Sequence, residues 1–589
     1  MKKFLLNVLS STLGVLLSIS IIAILLGVTV VSVALSSSSR PSVASHSVLR
    51  LDLKGVLSER SDATPLASLG LSEINPSLED MLRAIKVAKD NKNIDGIYVV
   101  ANAVSANPAS LQELRRALAD FRKSGKFVVS YGGTYTQSAY YVCSAASKVM
   151  LNPIGELEWR GLGGEVMFYK DLLKKLGIEM QVVKVGTYKS AVEPFTATEM
   201  SEANREQVTC YITGIWNNIK KEVSASRNIP VSKLDALADK YMALRPANEA
   251  LSEKFVDRLA YEDDALLEVA KLSGQSEIDD IHFVKPEVLA PLAVDEELNG
   301  GDDEIAVYYA CGDIVSNKEG GLAYGSAIVA DKVIPDLRDL ADEDDVKAVV
   351  LRINSGGGSA YASEQIWNAI KKLAAKKPVV VSMGDMAASG AYYMSSAAHY
   401  VVAEPTTLTG SIGIFGMFPD VSGLMKDKLG LRFDGVKTNA HSDFFSTSRP
   451  FTEEEKAMLQ SYVDRGYNLF AKRVAQGRKL TVQQVDSIGQ GRVWTGEDAL
   501  GIKLVDKLGN LDDAIAIAAK RAGVKKYSVA HYPVAQEWWE EMLESQMDGY
   551  ADARLRSYLG ELYPAVSLLK NIDSRDRVQA RIPFNPVVK

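Results

Sequence analysis

Ser389 lies in "GDMAASGAYYMSS" (384–396), between an alanine and a glycine and just after the β-branched run "PVVVSM" (378–383). A serine hydroxyl is a weak nucleophile until a base takes its proton. The chain has five histidines. His399 follows Ser389 by ten residues, in or just past the same expected helix and pointing elsewhere, and His441 sits in a polar loop. His46, His282 and His531 fall in the amino-terminal arm, near the middle of the chain and in the tail. Lysine can replace histidine where burial lowers its pKa toward about 7–8. Oxyanion chemistry also needs backbone N–H donors that a substrate can approach closely. The glycine triplet of "SGGGS" (355–359) and the N–H of Gly390 suit that need. A glycine cluster also suits a phosphate turn, but the phosphate-loop lysine pattern is absent.

An internal repeat selects the lysine. "VSYGGTYTQSAYYVCSAASKVMLNP" (129–153) matches "VSMGDMAASGAYYMSSAAHYVVAEP" (381–405), so that Ser130, Tyr140 and Tyr141 recur as Ser382, Tyr392 and Tyr393, 252 positions later. "ALSEKFVDRLAYEDD" (250–264) is mirrored by "ALGIKLVDKLGNLDD" (499–513). Two such matches in the same order are the mark of a duplicated unit. In this alignment Gln137 stands opposite Ser389, and Lys189 of "GTYKSAVEPF" (186–195) stands opposite Ser442. Taken singly, a lysine beside a tyrosine is usually a solvated charge and a serine amid alanines a packing residue. The mirrored losses suggest one composite site, with the amine from the first copy and the hydroxyl from the second.

The elements that must position these groups follow from periodicity. "KAVVLRIN" (347–354), "SEQIWNAIKKLAAKK" (363–377) and "PVVVSM" alternate β-branched runs with an amphipathic segment, which predicts α/β units with parallel strands. Ligands in such sheets sit beyond the carboxyl ends of the strands, where the glycine triplet and Ser389 both fall. Repeats at 47–284 and 305–528 are expected, joined by an exposed linker at 285–304 and followed by a helical tail at 529–589. Within that tail, "VAQEWWEEMLESQMDGYADARLRSYLGELY" (534–563) is amphipathic without a basic face, which favours packing or assembly over a surface role.

Lys2 and Lys3 are followed by no charged residue until Arg40, and the apolar stretch 13–35 exceeds the roughly 7–15 residues of a signal-peptide core. It is long enough to cross a bilayer, which takes about 20 residues. Residues 1–46 are therefore expected to be a membrane anchor and arm, with the amino terminus cytoplasmic and the rest across the membrane, in a bacterium the periplasm. With 67 basic and 74 acidic residues, a net charge of -7 and no long single-sign block, the chain carries no footprint for nucleic acid. Cys143, Cys210 and Cys311 have neither metal-ligand nor disulfide-framework spacing and are expected to be small core residues.

"NSGGGSAYASE" (354–364), "GDMAASGAYYMSSAA" (384–398), "LTGSIGIFG" (408–416) and "GTYKSAVEPF" together resemble the motifs of the signal peptide peptidase A (protease IV) family in its long two-repeat form. The resemblance covers nearly the whole chain. It implies a Clp/crotonase-like α/β fold and metal-independent peptide hydrolysis without a cofactor. Ser389 would be the nucleophile, Lys189 the general base and Ser411 the group that orients the lysine. Gly357 and Gly390 would form the oxyanion hole. Gly356 departs from the proline that many relatives carry there. The resemblance further implies a homotetramer on the bacterial inner membrane, single-pass, acting on signal peptides left in the bilayer. Two other readings are a crotonase-like acyl-CoA enzyme, for which no clear catalytic glutamate is present, and a non-catalytic membrane scaffold.

Overall fold

The computed structural model describes residues 43–60, 76–317, 327–533 and 578–581, together with Gly14, Leu17, Ser18, Ser20 and Ile21. Apart from those five, the anchor expected over 13–35 lies outside the described residues, as does the stretch 534–563. Among the described residues no helix is long and apolar enough to cross a membrane.

The β-branched runs form parallel strands covered on both faces, where continuous apolar sequence is stable. Every residue of Val379–Ala388 is buried. In the first repeat the sheet order is Arg258–Leu259, Lys148–Leu157, Phe127–Tyr135, Ile94–Ser105, Ser47–Val56 and His282–Val284, parallel throughout. The second repeat builds the same arrangement from Leu408–Gly410, Val379–Ala388, Val346–Ser355, Glu304–Cys311 and Ser528–Tyr532, with Val493–Thr495 antiparallel at one edge. The duplication extends to single hydrogen bonds. Tyr140 Oη donates to the Phe255 carbonyl at 2.8 Å, and Tyr392 Oη donates to the Leu504 carbonyl at 2.8 Å.

Two features join the repeats. Strand Glu179–Val185 of the first repeat pairs antiparallel with Ile414–Asp420 of the second, Val185 lying opposite Ile414. They share a mixed sheet with Ala327–Val329, Asp313–Val315, Gly357–Ser359 and Val578–Arg581. Helix Pro108–Arg122 supplies the second contact, presenting Ser110, Glu113 and Arg116, three residues apart on one face. Ser110 Oγ donates to Asp385 at 2.6 Å, Arg352 donates to Glu113 at 2.8 and 3.0 Å, and Arg116 donates to Glu404 at 2.7 Å. Burial pushes the Glu113, Asp385 and Glu404 carboxyls up, against the pull of Arg352 and Arg116 on the two glutamates. Arg352, 1% exposed, also donates to Glu59 at 2.6 Å. Removing one partner from such a buried pair typically costs about 3–5 kcal/mol.

Three expectations change. Residues 286–298, read as exposed linker, form helix Pro286–Leu298, because proline is well placed in a first turn and Leu289, Ala290 and Ala293 make a buried stripe. Arg83 of helix Leu78–Asp90 pairs with its Glu297 at 3.1 Å. Ser528–Tyr532, assigned largely to the tail, is a strand of the second sheet. Of the cysteines, Cys143 is buried, but Cys311 is half-buried and Cys210 exposed.

Candidate active site

Strand Val379–Ala388 runs directly into helix Gly390–Ser395, and Ser389 occupies the turn between them at φ 56°, ψ −116°. Positive φ is costly for a residue with a side chain and persists only where the surroundings hold it. Two backbone bonds do so: the Ser389 N–H donates to the Gly410 carbonyl at 2.8 Å, and the Ser389 carbonyl accepts from Tyr393 N–H at 2.8 Å. Ser411 follows Gly410 at φ 50° and is tied down by donating its N–H to the Arg492 carbonyl at 2.7 Å.

Lys189 arrives from the first repeat, four residues beyond strand Glu179–Val185. Its backbone lies against Gly491: a Cβ there would sit 2.6 Å from Lys189 N and 2.7 Å from its Cα. Gly491 has φ +79° and donates its N–H to the Ile412 carbonyl at 2.7 Å, which fixes the surface on which Lys189 rests. Gln207 clasps the loop. Its Nε2 donates to the Tyr188 carbonyl at 2.9 Å and to Ser190 Oγ at 3.1 Å, while its Oε1 accepts from Val493 N–H at 3.1 Å.

Lys189 Nζ lies 2.8 Å from Ser389 Oγ, 3.1 Å from Ser411 Oγ and 3.3 Å from the Ser411 carbonyl oxygen. Ser389 is 0% exposed, while Lys189 and Ser411 are each 1% exposed. Burial alone holds the Lys189 amine well below the usual lysine range, with no charged neighbour opposing it. A neutral amine has two N–H groups, for the Ser411 oxygens, and one lone pair, for the Ser389 hydroxyl. The arrangement can therefore take a proton from Ser389.

The five expected residues thus fall in one place, with one difference. Gly357 N–H donates to Ser355 Oγ at 3.1 Å, which turns it from the role of oxyanion donor. The next amide, Gly358 N, lies 3.2 Å from where a Cβ on Gly390 would stand. The counterparts in the other copies do other work. Gln137 Oε1 accepts from the N–H groups of Arg160 and Gly161, both at 3.0 Å, and its Nε2 donates to the Gly161 carbonyl at 3.1 Å. Ser442 sits in an exposed turn. His399 Nδ1 accepts from Val379 N–H, His441 lies 3.8 Å from Glu454, and His531 lies between Glu79 and Glu297. Gln207 and Gly491 were not singled out in the sequence. The only signal for Gly491 was its place in "GQGR" (489–492), which immediately precedes strand Val493–Thr495.

The profile of peptidase family S49 matches residues 120–276 and again 371–525, and that of Clp protease matches 324–407. Protease 4 of Salmonella typhi is 37% identical over 548 residues, covering 90% of this chain and 87% of its own length. Protease 4 of Haemophilus influenzae is 33% identical over 574 residues, covering 93% and 92%. The chloroplastic serine protease SPPA of Arabidopsis thaliana is 30% identical over 487 residues, covering 82% and 70%. One family match on each copy of a Clp-protease-like α/β unit, with relatives aligned along nearly the full length, means that the chain belongs to peptidase family S49 and is a serine peptidase.

Proposed function

We propose that the protein hydrolyses peptide bonds with a Ser389–Lys189 dyad. The observation that carries this is the Lys189 amine, buried without a carboxylate partner and 2.8 Å from Ser389 Oγ. Neutral Lys189 takes the Ser389 proton as Oγ attacks the carbonyl carbon. The N–H groups of Gly358 and Gly390 hold the oxyanion, and Ser411 positions the amine. Lys189 then returns the proton to the leaving nitrogen, and water releases the acyl group from Ser389.

The substrates are extended apolar segments, foremost remnant signal peptides. Small residues around Ser389, namely Ala387, Ala388 and Gly390, support this by leaving room for a substrate backbone. The apolar stretch 13–35 supports attachment to the inner membrane with both repeats on the periplasmic side, and the family resemblance supports a homotetramer. The test is to assay Ser389→Ala and Lys189→Ala on a fluorogenic peptide and to expose each to a serine-directed fluorophosphonate. Each variant is expected to fold and to lose at least about 10³-fold in kcat/KM, and the wild type to be labelled on Ser389. Near-normal turnover by either variant defeats the assignment.

A further inference from the structure

Large apolar side chains left in water mark a contact surface when they cluster. Residues 429–442 are exposed without a break. Among them Leu429, Leu431 and Phe433 are 58%, 49% and 60% exposed, and Val436 is exposed entirely. The aromatic cluster that follows is complete without them: Phe444 stacks on Phe445 at 4.2 Å, and Phe418 meets Phe451 edge-on at 5.3 Å. The backbone holds the leucines out, since Leu429 N–H donates to the Leu424 carbonyl at 3.0 Å and Leu431 N–H to the Met425 carbonyl at 2.8 Å.

This segment is seated on the first repeat. Leu424 N–H donates to the Gly177 carbonyl at 2.7 Å, and a Cβ on Gly177, whose φ is +77°, would stand 2.6 Å from that nitrogen. Gly177 ends helix Lys170–Leu176, which exposes Leu172 and Leu176, one turn apart. Segments 170–176 and 424–437 together carry seven basic residues against three acidic ones, in a chain whose net charge is -7. Lys437 pairs with Asp443 at 2.8 Å, while Lys426, Lys428 and Arg432 form no ion pair among the described residues. Apolar side chains set among cations suit an anionic bilayer, where buried area and headgroup attraction both contribute. A second copy meeting this patch with its own would bring like charges together.

We infer that segments 170–176 and 424–437 form a membrane-docking surface separate from the stretch 13–35. Leu429, Leu431, Phe433 and Val436 enter the outer layer of an anionic bilayer, and Lys426, Lys428 and Arg432 meet its phosphates. The strand pair between the repeats fixes where this brings the site. Val185 lies opposite Ile414 at the end near Lys189 and Ser411, and Glu179 lies opposite Asp420 at the end near the patch. Six steps of about 3.3 Å separate the two ends by roughly 20 Å. About six extended residues of a peptide drawn out of the lipid span that distance to Ser389; this consequence, unlike the contact itself, rests on the dyad and substrates proposed above.

Tryptophan quenching in the full chain tests the contact. Phe433→Trp, and Leu244→Trp as an exposed position outside the patch, are reconstituted into nanodiscs with brominated acyl chains, made of phosphatidylcholine alone or with phosphatidylglycerol, and the wild-type emission is subtracted. At a depth of about 5–10 Å the added indole of Phe433→Trp is expected to lose at least about half its emission in the discs with phosphatidylglycerol. It is expected to lose clearly less in phosphatidylcholine alone, and Leu244→Trp to lose none in either. No quenching, equal quenching at both positions, or equal quenching of Phe433→Trp in both lipids overturns the inference. So does an indole already blue-shifted in detergent and unquenched in the discs, which would assign the patch to a second copy. Hydrolysis of the soluble fluorogenic peptide by the same preparations reads the dyad separately. Normal turnover with an unquenched indole overturns the contact alone, and a quenched indole in a wild-type-like chain without turnover upholds the contact and refutes the dyad.

Discussion

Gly491→Ala tests whether the position of Lys189, rather than its mere presence, sets the rate. The added methyl would lie 2.6 Å from Lys189 N, 2.7 Å from its Cα and 2.7 Å from its Cβ. Carbon contacts settle near 3.5–4.0 Å, so the Lys189 backbone must retreat by about 0.8 Å. Moved along the line to Ser389, such a retreat would stretch the 2.8 Å Nζ–Oγ contact to roughly 3.6 Å, beyond hydrogen-bond range. A misplacement of this order costs about 10²-fold in rate. Positive φ at Gly491 adds a separate strain of about 1–2 kcal/mol when a Cβ is present. Gly523→Ala isolates that second effect, because Gly523 has φ +76° with nothing within 4 Å of the new methyl. Steady-state kinetics, fluorophosphonate labelling rates and thermal melts of both variants make the comparison. Gly523→Ala is expected to lose stability and keep its activity, while Gly491→Ala loses about 100-fold in kcat/KM and labels correspondingly slowly. Activity of Gly491→Ala within about threefold of Gly523→Ala would refute the geometric reasoning.

Lys189→Met should abolish turnover and yet stabilise the fold by about 1–2 kcal/mol at pH 7. The buried amine stays neutral in the native state at pH values where the unfolded chain protonates it, so wild-type stability rises with pH toward the ordinary lysine value of about 10.4. Denaturant titrations from pH 7 to 10 should show the advantage of Lys189→Met shrinking as pH rises; a constant gap would contradict this. The same lowered pKa makes wild-type activity rise with pH and level off below the ordinary lysine range. His531 gives a stability change of opposite sign. Burial lowers its pKa, but Glu297 at 3.2 Å and Glu79 at 3.0 Å outweigh that and leave it raised. Its contribution is complete below the unfolded value of about 6.5 and is lost as pH climbs through the folded value. Thermal melts from pH 5 to 9 should show a fall in that window which His531→Gln lacks; equal slopes would dismiss the clasp.

Ser389 and Lys189 were legible because duplication supplied an internal control: each copy kept one group and replaced the other, with Gln137 and Ser442 marking the losses. Strand and helix positions around Ser389 followed from period and β-branching alone. The donor amide proposed above, Gly358, lies one residue past the expected Gly357, since consecutive glycines are alike in type and only the hydrogen bond from Gly357 to Ser355 separates them. Ser110, Glu113 and Arg116 look like an ordinary solvated helix face, and only the docked second repeat gives Ser110 and Glu113 their buried partners and Arg116 its pairing with Glu404. The stretch 285–304 misled because proline and acid begin helices as readily as they populate linkers.

The two groups of the proposed dyad are 200 residues apart in the chain, and each is held by a different copy of the unit. With the proposed dyad, a ribosome delivers the amine long before the alcohol, so the growing polypeptide has nothing with which to cut its neighbours. Catalytic competence arrives only when the later copy closes onto the earlier one, which makes the join between them a safety catch set by the order of synthesis.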